Sequence, residues 1–237
     1  MSRRHDVPAT LPFFIPLPLP PFGTLGAVIK MKGRINDRSA LLDIGSAGPL
    51  TGFFFTIPAI IIGLKLSDVV AVKNLQTNVT ALGDSLLFRF LQWLVLGNIP
   101  AGYDVVLHPI AYAGWVGLFV TALNLLPIGQ LDGGHVVYAL LGKKSRFVSY
   151  SALGFLAFIC LVYNPGWLLL LILLSLFGLK HPSPLDEVTP LDKKRYLIGI
   201  LALLIFIFSF TPIPFPQYAD EIRNGLGQMR ENQPIQI

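Results

Sequence analysis

Charged residues disappear from four long stretches of this 237-residue chain, and those stretches predict its elements. Ile44 to Leu64, Val105 to Leu131, Phe147 to Leu179 and Tyr196 to Ala219 contain no Asp, Glu, Lys or Arg. About 20 apolar residues cross the ~30 Å hydrocarbon core of a bilayer. Each stretch is therefore long enough for one pass, and the third is long enough for two, with Asn164-Pro165-Gly166 as the turn.

Local signals sharpen the picture. Asn36 or Asp37 is an N-cap candidate for the first span, and His108-Pro109 places a proline at an early helical position, where it is tolerated. "LLFRFLQWLVLG" (Leu86 to Gly97) is too short to span and carries Arg89, which predicts an interfacial or re-entrant helix. "LPFFIPLPLPPF" (Leu11 to Phe22) is apolar, yet its five prolines forbid a regular helix. "GTLGAVIKMKG" (Gly23 to Gly33) follows with β-branched residues between glycines and reads as a short strand or hairpin. Since an open sheet edge cannot face lipid, it either lies at the interface or lines a cavity.

The predicted organisation runs as follows: a Pro-rich segment and β element over 1–35; a transmembrane helix over 36–66; an extramembrane connection with a short interfacial helix over 67–107. A broken transmembrane helix covers 108–142, a transmembrane hairpin 147–180, a last transmembrane helix 195–212 and a polar tail 213–237. The fold class is an all-α polytopic membrane protein with a small membrane-associated β element. Gly45, Ala47, Gly48 and Gly52 are small residues at near-helical spacing, which permits close helix contact. Asp43 reads as a first-turn charge near the interface.

Composition agrees: 53% of residues are hydrophobic and 13% charged, against about 25% charged in soluble domains. A net charge of +5 could suggest nucleic acid, but the basic residues sit at span ends: Lys143, Lys144 and Arg146, then Lys180, Lys193, Lys194 and Arg195. That is the positive-inside pattern, which places both loops in the cytoplasm. Nucleic acid is excluded as a partner and the lipid bilayer is expected as one. Cys160 is the single cysteine, so there is neither a disulfide framework nor a cysteine metal site.

Against this background "NLLPIGQLDGGH" (Asn124 to His135) stands out. Asp132 lies about eleven residues before Lys143, roughly 16 Å along a helix, which is near mid-membrane. An ionisable residue there is costly and marks a functional site by default. Pro127, Gly129, Gly133 and Gly134 are expected to break the helix and free its backbone for water or a ligand. Three readings of Asp132 are open: a carboxylate satisfied by a neighbouring helix or protonated, part of an ion-coupled transporter, or an oxygen ligand of a metal. A transporter would usually show paired repeats of broken spans, and no second copy of Asn124 to Gly134 is present.

The same residues carry a resemblance. "NLLPIGQLDGG" is similar to the Asn-x-x-Pro-x(3)-Leu-Asp-Gly-Gly motif of the site-2 protease family, the intramembrane zinc metalloproteases. "PFFIPLPLPPFGTLGAVIKMKG", "DIGSAGPLTG", "HPIAYAGWVGLFVTALNLLP" and "HPSPLDEVTPLDKKR" resemble bacterial and plastid members in the same order. The resemblance implies a site-2 protease-like core and a catalytic Zn2+ held by two histidines of a His-Glu-x-x-His helix and by Asp132. The Glu of that helix would be the general base, and Asn124 would hold the substrate carbonyl or its oxyanion. A strand containing Gly26, Ala27 and Val28 would pair with an unwound segment of a transmembrane protein substrate. The implied location is a bacterial cell membrane or, second, a plastid membrane.

One departure matters. The histidines are His5, His108, His135 and His181, no two of them four apart, so His-Glu-x-x-His is absent from the chain. The expectation is that the motif is encoded immediately upstream of the Met1 codon. The alternative is a non-catalytic pseudoprotease that binds transmembrane segments. Asp132 and His135 are spaced to share a helical face, but one Asp and one His seldom hold catalytic zinc. By itself this chain is expected to bind little.

Overall fold

A computed structural model describes residues 1–5, 7–8, 10, 13–16, 24–28, 35–74, 81–177 and 183–216. The far part of the "GTLGAVIKMKG" segment, the loop around His181 and the tail beyond Pro216 lie outside the described residues.

Helix α1 (Arg38–Lys65) starts where Asp37, in extended backbone, accepts a 2.7 Å hydrogen bond from the Ala40 amide. Its 28 residues make a rod of roughly 42 Å, and Pro49 and Pro58 lie inside it. α2 (Leu86–Leu96) is capped by Ser85, whose Oγ accepts from the Phe88 amide at 3.1 Å, and it stops at Gly97, which has φ of 72°. α3 (Pro109–Asn124) opens with Pro109 behind the N-cap His108. α4 (Asp132–Leu141) continues through a 3-10 turn, Gly142–Lys144, into α5 (Ser145–Val162). A second 3-10 turn, Pro165–Trp167, leads into α6 (Leu168–Phe177), and α7 (Lys193–Ser209) follows.

The described residues are mostly helical and include two small antiparallel sheets. β1 (Phe13–Pro16) pairs with β2 (Thr24–Val28) in the register Phe13–Val28, Phe14–Ala27 and Pro16–Thr24. The second sheet was not expected: β3 (Asp68–Ala71) pairs with β4 (Tyr103–Val106) across the connection that holds α2. Each strand is four residues long with one Asp and two valines.

Close contact between α1 and α3 depends on small residues. A Cβ at Gly63 would collide with the Ala111 backbone, and one at Gly114 would come within 2.6 Å of Ile60 Cγ1. Small interfaces of this kind let helix backbones approach. One core is aromatic: Trp115 stacks on Phe119 with centroids 5.5 Å apart, and Trp167 stacks on Phe210 at 5.8 Å. Both buried indoles donate to loop carbonyls, Trp115 to Gly83 at 2.9 Å and Trp167 to Pro212 at 2.7 Å. That meets the need of a buried Trp N–H for a partner. The second core joins α1, α4 and α7 through Leu41, Leu42, Leu125, Val136, Ala139 and Ala202.

Among the described residues two helical stretches are, by length and composition, apolar and long enough to cross a membrane, Arg38–Lys65 and Asp132–Val162, the second made of α4, the 3-10 turn and α5. α3 is shorter, 16 residues or roughly 24 Å, because the chain leaves the helix at Asn124. Phe54, Phe55, Phe147, Leu161 and Leu197 are each more than 60% exposed, leaving large apolar side chains on the outer surface of these helices.

Candidate metal and substrate site

The segment from Asn124 to Asp132 is a folded-back loop between two helices. Asn124 is the last residue of α3 and is exposed. The Leu125 amide closes the final turn onto Thr121 O at 3.0 Å, the Ile128 amide donates to Leu126 O at 2.7 Å, and the Leu131 amide donates to Ile128 O at 3.2 Å. Pro127 has no N–H to satisfy. Leu125, Leu126 and Ile128 are buried, and Gly129 turns the chain with φ of 54°, a conformation that favours glycine. Leu131 then precedes α4 in extended backbone, and Asp132 is the first helical residue.

Gly133 and Gly134 play a different part from the one read in sequence. They do not loosen a helix around Asp132, since both lie inside α4. A Cβ at Gly133 would strike Leu125 O, and one at Gly134 would strike Gly129 O. The loop carbonyls lie directly on the helix backbone at these two positions, so the glycines permit contact and do not free backbone for a ligand.

Asp132 faces α1: a Cβ built on Gly48 would sit 3.8 Å from Asp132 Oδ2. Its place in the first turn of α4 puts the carboxylate at the positive end of the helix dipole. Among the described residues it has no hydrogen-bond or ion-pair partner. His135 is buried one turn on, with its Cβ 2.7 Å from where a Cβ on Gly45 would be. The small residues of α1 thus let α4 bring Asp132 and His135 against the same helix. Asn124 and Asp132 occupy the two ends of one loop.

Other candidates lie elsewhere. His108 caps the far end of α3, its Nδ1 accepting from the Ile110 amide at 3.3 Å. His5 Nε2 donates to Asp43 Oδ2 at 2.9 Å. Gly26, Ala27 and Val28 belong to β2 and pair with β1, with no extensive packing of that hairpin on the helices among the described residues. No group of three or more His, Cys, Asp or Glu able to hold a metal ion occurs among the described residues. Catalytic zinc takes three protein ligands, so these residues do not complete such a site.

Two polar networks escaped the sequence reading. Asp43 lies beyond the first turn of α1 and accepts a forked pair of bonds from Arg195, Nε at 3.0 Å and Nη2 at 2.8 Å. Arg195 also reaches Asp192, the N-cap of α7, at 2.6 Å. The network ties the N-terminal turn, α1 and α7 together. Tyr138 donates to Glu187 at 2.9 Å, and Lys143 lies 3.2 Å from the same carboxylate. These two contacts hold the Glu187 carboxyl below the usual carboxylate range. No local pattern announces a partner 152 positions away in the chain.

Comparison with known proteins points in one direction. The chain is 29% identical over 221 residues to "Probable zinc metalloprotease EGY2, chloroplastic" of Oryza sativa subsp. indica, covering 91% of this chain and 39% of that protein. It is 30% identical over 227 residues to "Probable zinc metalloprotease EGY1, chloroplastic" of Arabidopsis thaliana, covering 93% and 40%. It is 28% identical over 238 residues to "Probable zinc metalloprotease EGY3, chloroplastic" of Oryza sativa subsp. indica, covering 89% and 38%. The chain therefore spans about two fifths of the length of these relatives. No solved structure matches it significantly. The model of peptidase family M50 matches residues 7–163, more than half of the chain and including the whole Asn124–Gly134 motif, and the chain belongs to that family, the site-2 proteases.

Proposed function

We propose that this chain forms the Asp-bearing part of an intramembrane zinc endopeptidase that cuts membrane-spanning proteins. The observation that carries the reading is the Asp132 carboxylate: it sits at the start of α4, faces Gly48 of α1 and has no partner among the described residues. A carboxylate without a partner in such a place calls for a cation. Asp132 supplies one of the three protein ligands that catalytic zinc takes, and no step is drawn through the metal from this one ligand. Asn124, exposed at the other end of the loop, presents its amide to the scissile carbonyl, where a fixed donor stabilises developing oxyanion charge.

A helical substrate shields its peptide bonds with its own hydrogen bonds, so the scissile segment has to be extended first. β2 is paired on one side by β1, and its other edge, along Gly26, Ala27 and Val28, takes the extended segment as an added strand. Val28→Pro removes a backbone donor from that strand. In an enzyme carrying the His-Glu-x-x-His helix, cleavage of a membrane-spanning substrate should fall about five- to tenfold, the worth of about one hydrogen bond, with unchanged helical circular dichroism. Unaltered cleavage rules out the substrate-strand role.

The membrane reading has its own test. The positive-inside pattern places the α4–α5 junction in the cytoplasm and the α5–α6 turn on the opposite side. Asn164 in that turn is buried and accepts from the Gly166 amide at 3.0 Å, so the label belongs on exposed Tyr163. Cysteines replacing Lys144 and Tyr163 should react with an impermeant maleimide from opposite faces of sealed vesicles. Reaction of both from one face removes the α5–α6 hairpin.

The second reading is a non-catalytic relative that binds transmembrane segments. His-Glu-x-x-His does not occur in these 237 residues, which span about two fifths of the relatives' length. Zinc stoichiometry separates the two, as argued below.

A further inference from the structure

A cavity of about 460 Å3 lies behind the motif loop, bounded at its inner end by Gly129 and Gly134. Its outer wall is the junction of α4 and α5, and there the chemistry changes sign. Lys143 and Arg146 line the wall. A guanidinium at the mouth of a cavity favours an anion such as phosphate.

Two hydroxyls add hydrogen-bonding capacity to this wall. Ser145 and Ser149 both line the cavity, are 6% and 5% exposed, and have no hydrogen-bond partner among the described residues. The two side chains lie one turn apart on α5 and open to the same space. Glu187 also lines the cavity, but Tyr138 and Lys143 already engage its carboxylate. Arg146 has no acidic partner among the described residues, so one cation is left over. Beside it Phe147 is 73% exposed and Tyr150 is 49% exposed.

We infer that this cavity is a binding site for the phosphate headgroup of an anionic phospholipid. Ser145 and Ser149 donate to the phosphate oxygens. Arg146 supplies the charge, and Phe147 and Tyr150 take the start of the acyl chains. Basic pockets between helices at the cytoplasmic end of a span hold such headgroups, and the apolar side chains next to the cation favour an amphiphile over free phosphate. The inference rests on the membrane reading above but not on proteolysis, because its readout is lipid retention.

The test uses the purified 237-residue chain in a neutral detergent, with native mass spectrometry of lipid adducts. Phosphatidylglycerol should be retained at least about tenfold better than phosphatidylcholine, since a charge-assisted contact is at stake. Arg146→Gln, at an exposed position that should fold normally, should abolish most of that preference, and Ser149→Val should reduce it. Lys144→Gln removes an equal charge from a residue that does not line the cavity and should change the preference less than about twofold. Equal loss in Lys144→Gln and Arg146→Gln would mean diffuse attraction to the basic turn and would overturn the site. Equal retention of the two lipids, or competition by inorganic phosphate as strong as by phosphatidylglycerol, would overturn the lipid assignment.

Discussion

Gly134→Ala should destabilise the protein by about 3 kcal/mol, and Gly133→Ala by a similar amount. Helix propensity argues the other way: alanine in a helix interior is worth up to about 1 kcal/mol over glycine, and both residues lie inside α4. Packing decides the sign. A Cβ at Gly134 collides with Gly129 O and approaches Ile128 O to 3.0 Å, and one at Gly133 meets Leu125 O. These are backbone atoms of a buried loop and cannot swing aside like the end of a side chain. Overpacking a closed core typically costs about 1 to 3 kcal/mol, and a backbone collision belongs at the upper end. Gly154, in the middle of α5, has nothing within 4 Å of its Cβ position, so Gly154→Ala should be neutral or slightly stabilising. Tryptophan fluorescence through thermal unfolding in detergent reads all three. If Gly134→Ala and Gly154→Ala melt alike, the loop does not rest on α4 as described.

That pair of glycines also shows how far sequence alone reaches. A carboxylate beside "GG" in an uncharged run announced a special place, but the reason for the glycines depends on which carbonyls lie against them, and that is a tertiary fact. Local signals carried further: Asp37 capping α1 and Pro109 opening α3 are legible from a few neighbouring residues, because a cap acts on amides two or three positions away. The β3–β4 pair was hidden for the opposite reason. Its four-residue strands are separated by α2, and neither is long enough to establish a period. The forked Asp43–Arg195 pair joins α1 to α7 and could not be read from either helix. It gives Asp43 a bonded partner on a second helix, which its position in the chain alone did not show.

Zinc content should separate an enzyme from its silent relative. The chain as it stands offers Asp132, and no group of three ligand side chains occurs among its described residues. The isolated 237-residue chain, dialysed against micromolar zinc, should retain far less than one equivalent. Joining ahead of Met1 an apolar helix that carries His-Glu-x-x-His supplies two neutral imidazoles. If that helix packs beside α1 and α4, the Asp132 carboxylate becomes the third ligand. Retention should then rise to one zinc per chain by atomic absorption, and Asp132→Ala should weaken it by more than about 100-fold, beyond the 10- to 100-fold loss caused by removing a group that only orients a ligand. Asn124→Ala should leave the zinc in place while cleavage falls on the order of 100-fold, as for loss of one oxyanion donor. That split assigns metal to Asp132 and substrate to Asn124. Zinc bound equally well with and without Asp132 would remove the carboxylate from the metal site, and a joined chain that stays metal-free would leave the transmembrane-segment binder as the function.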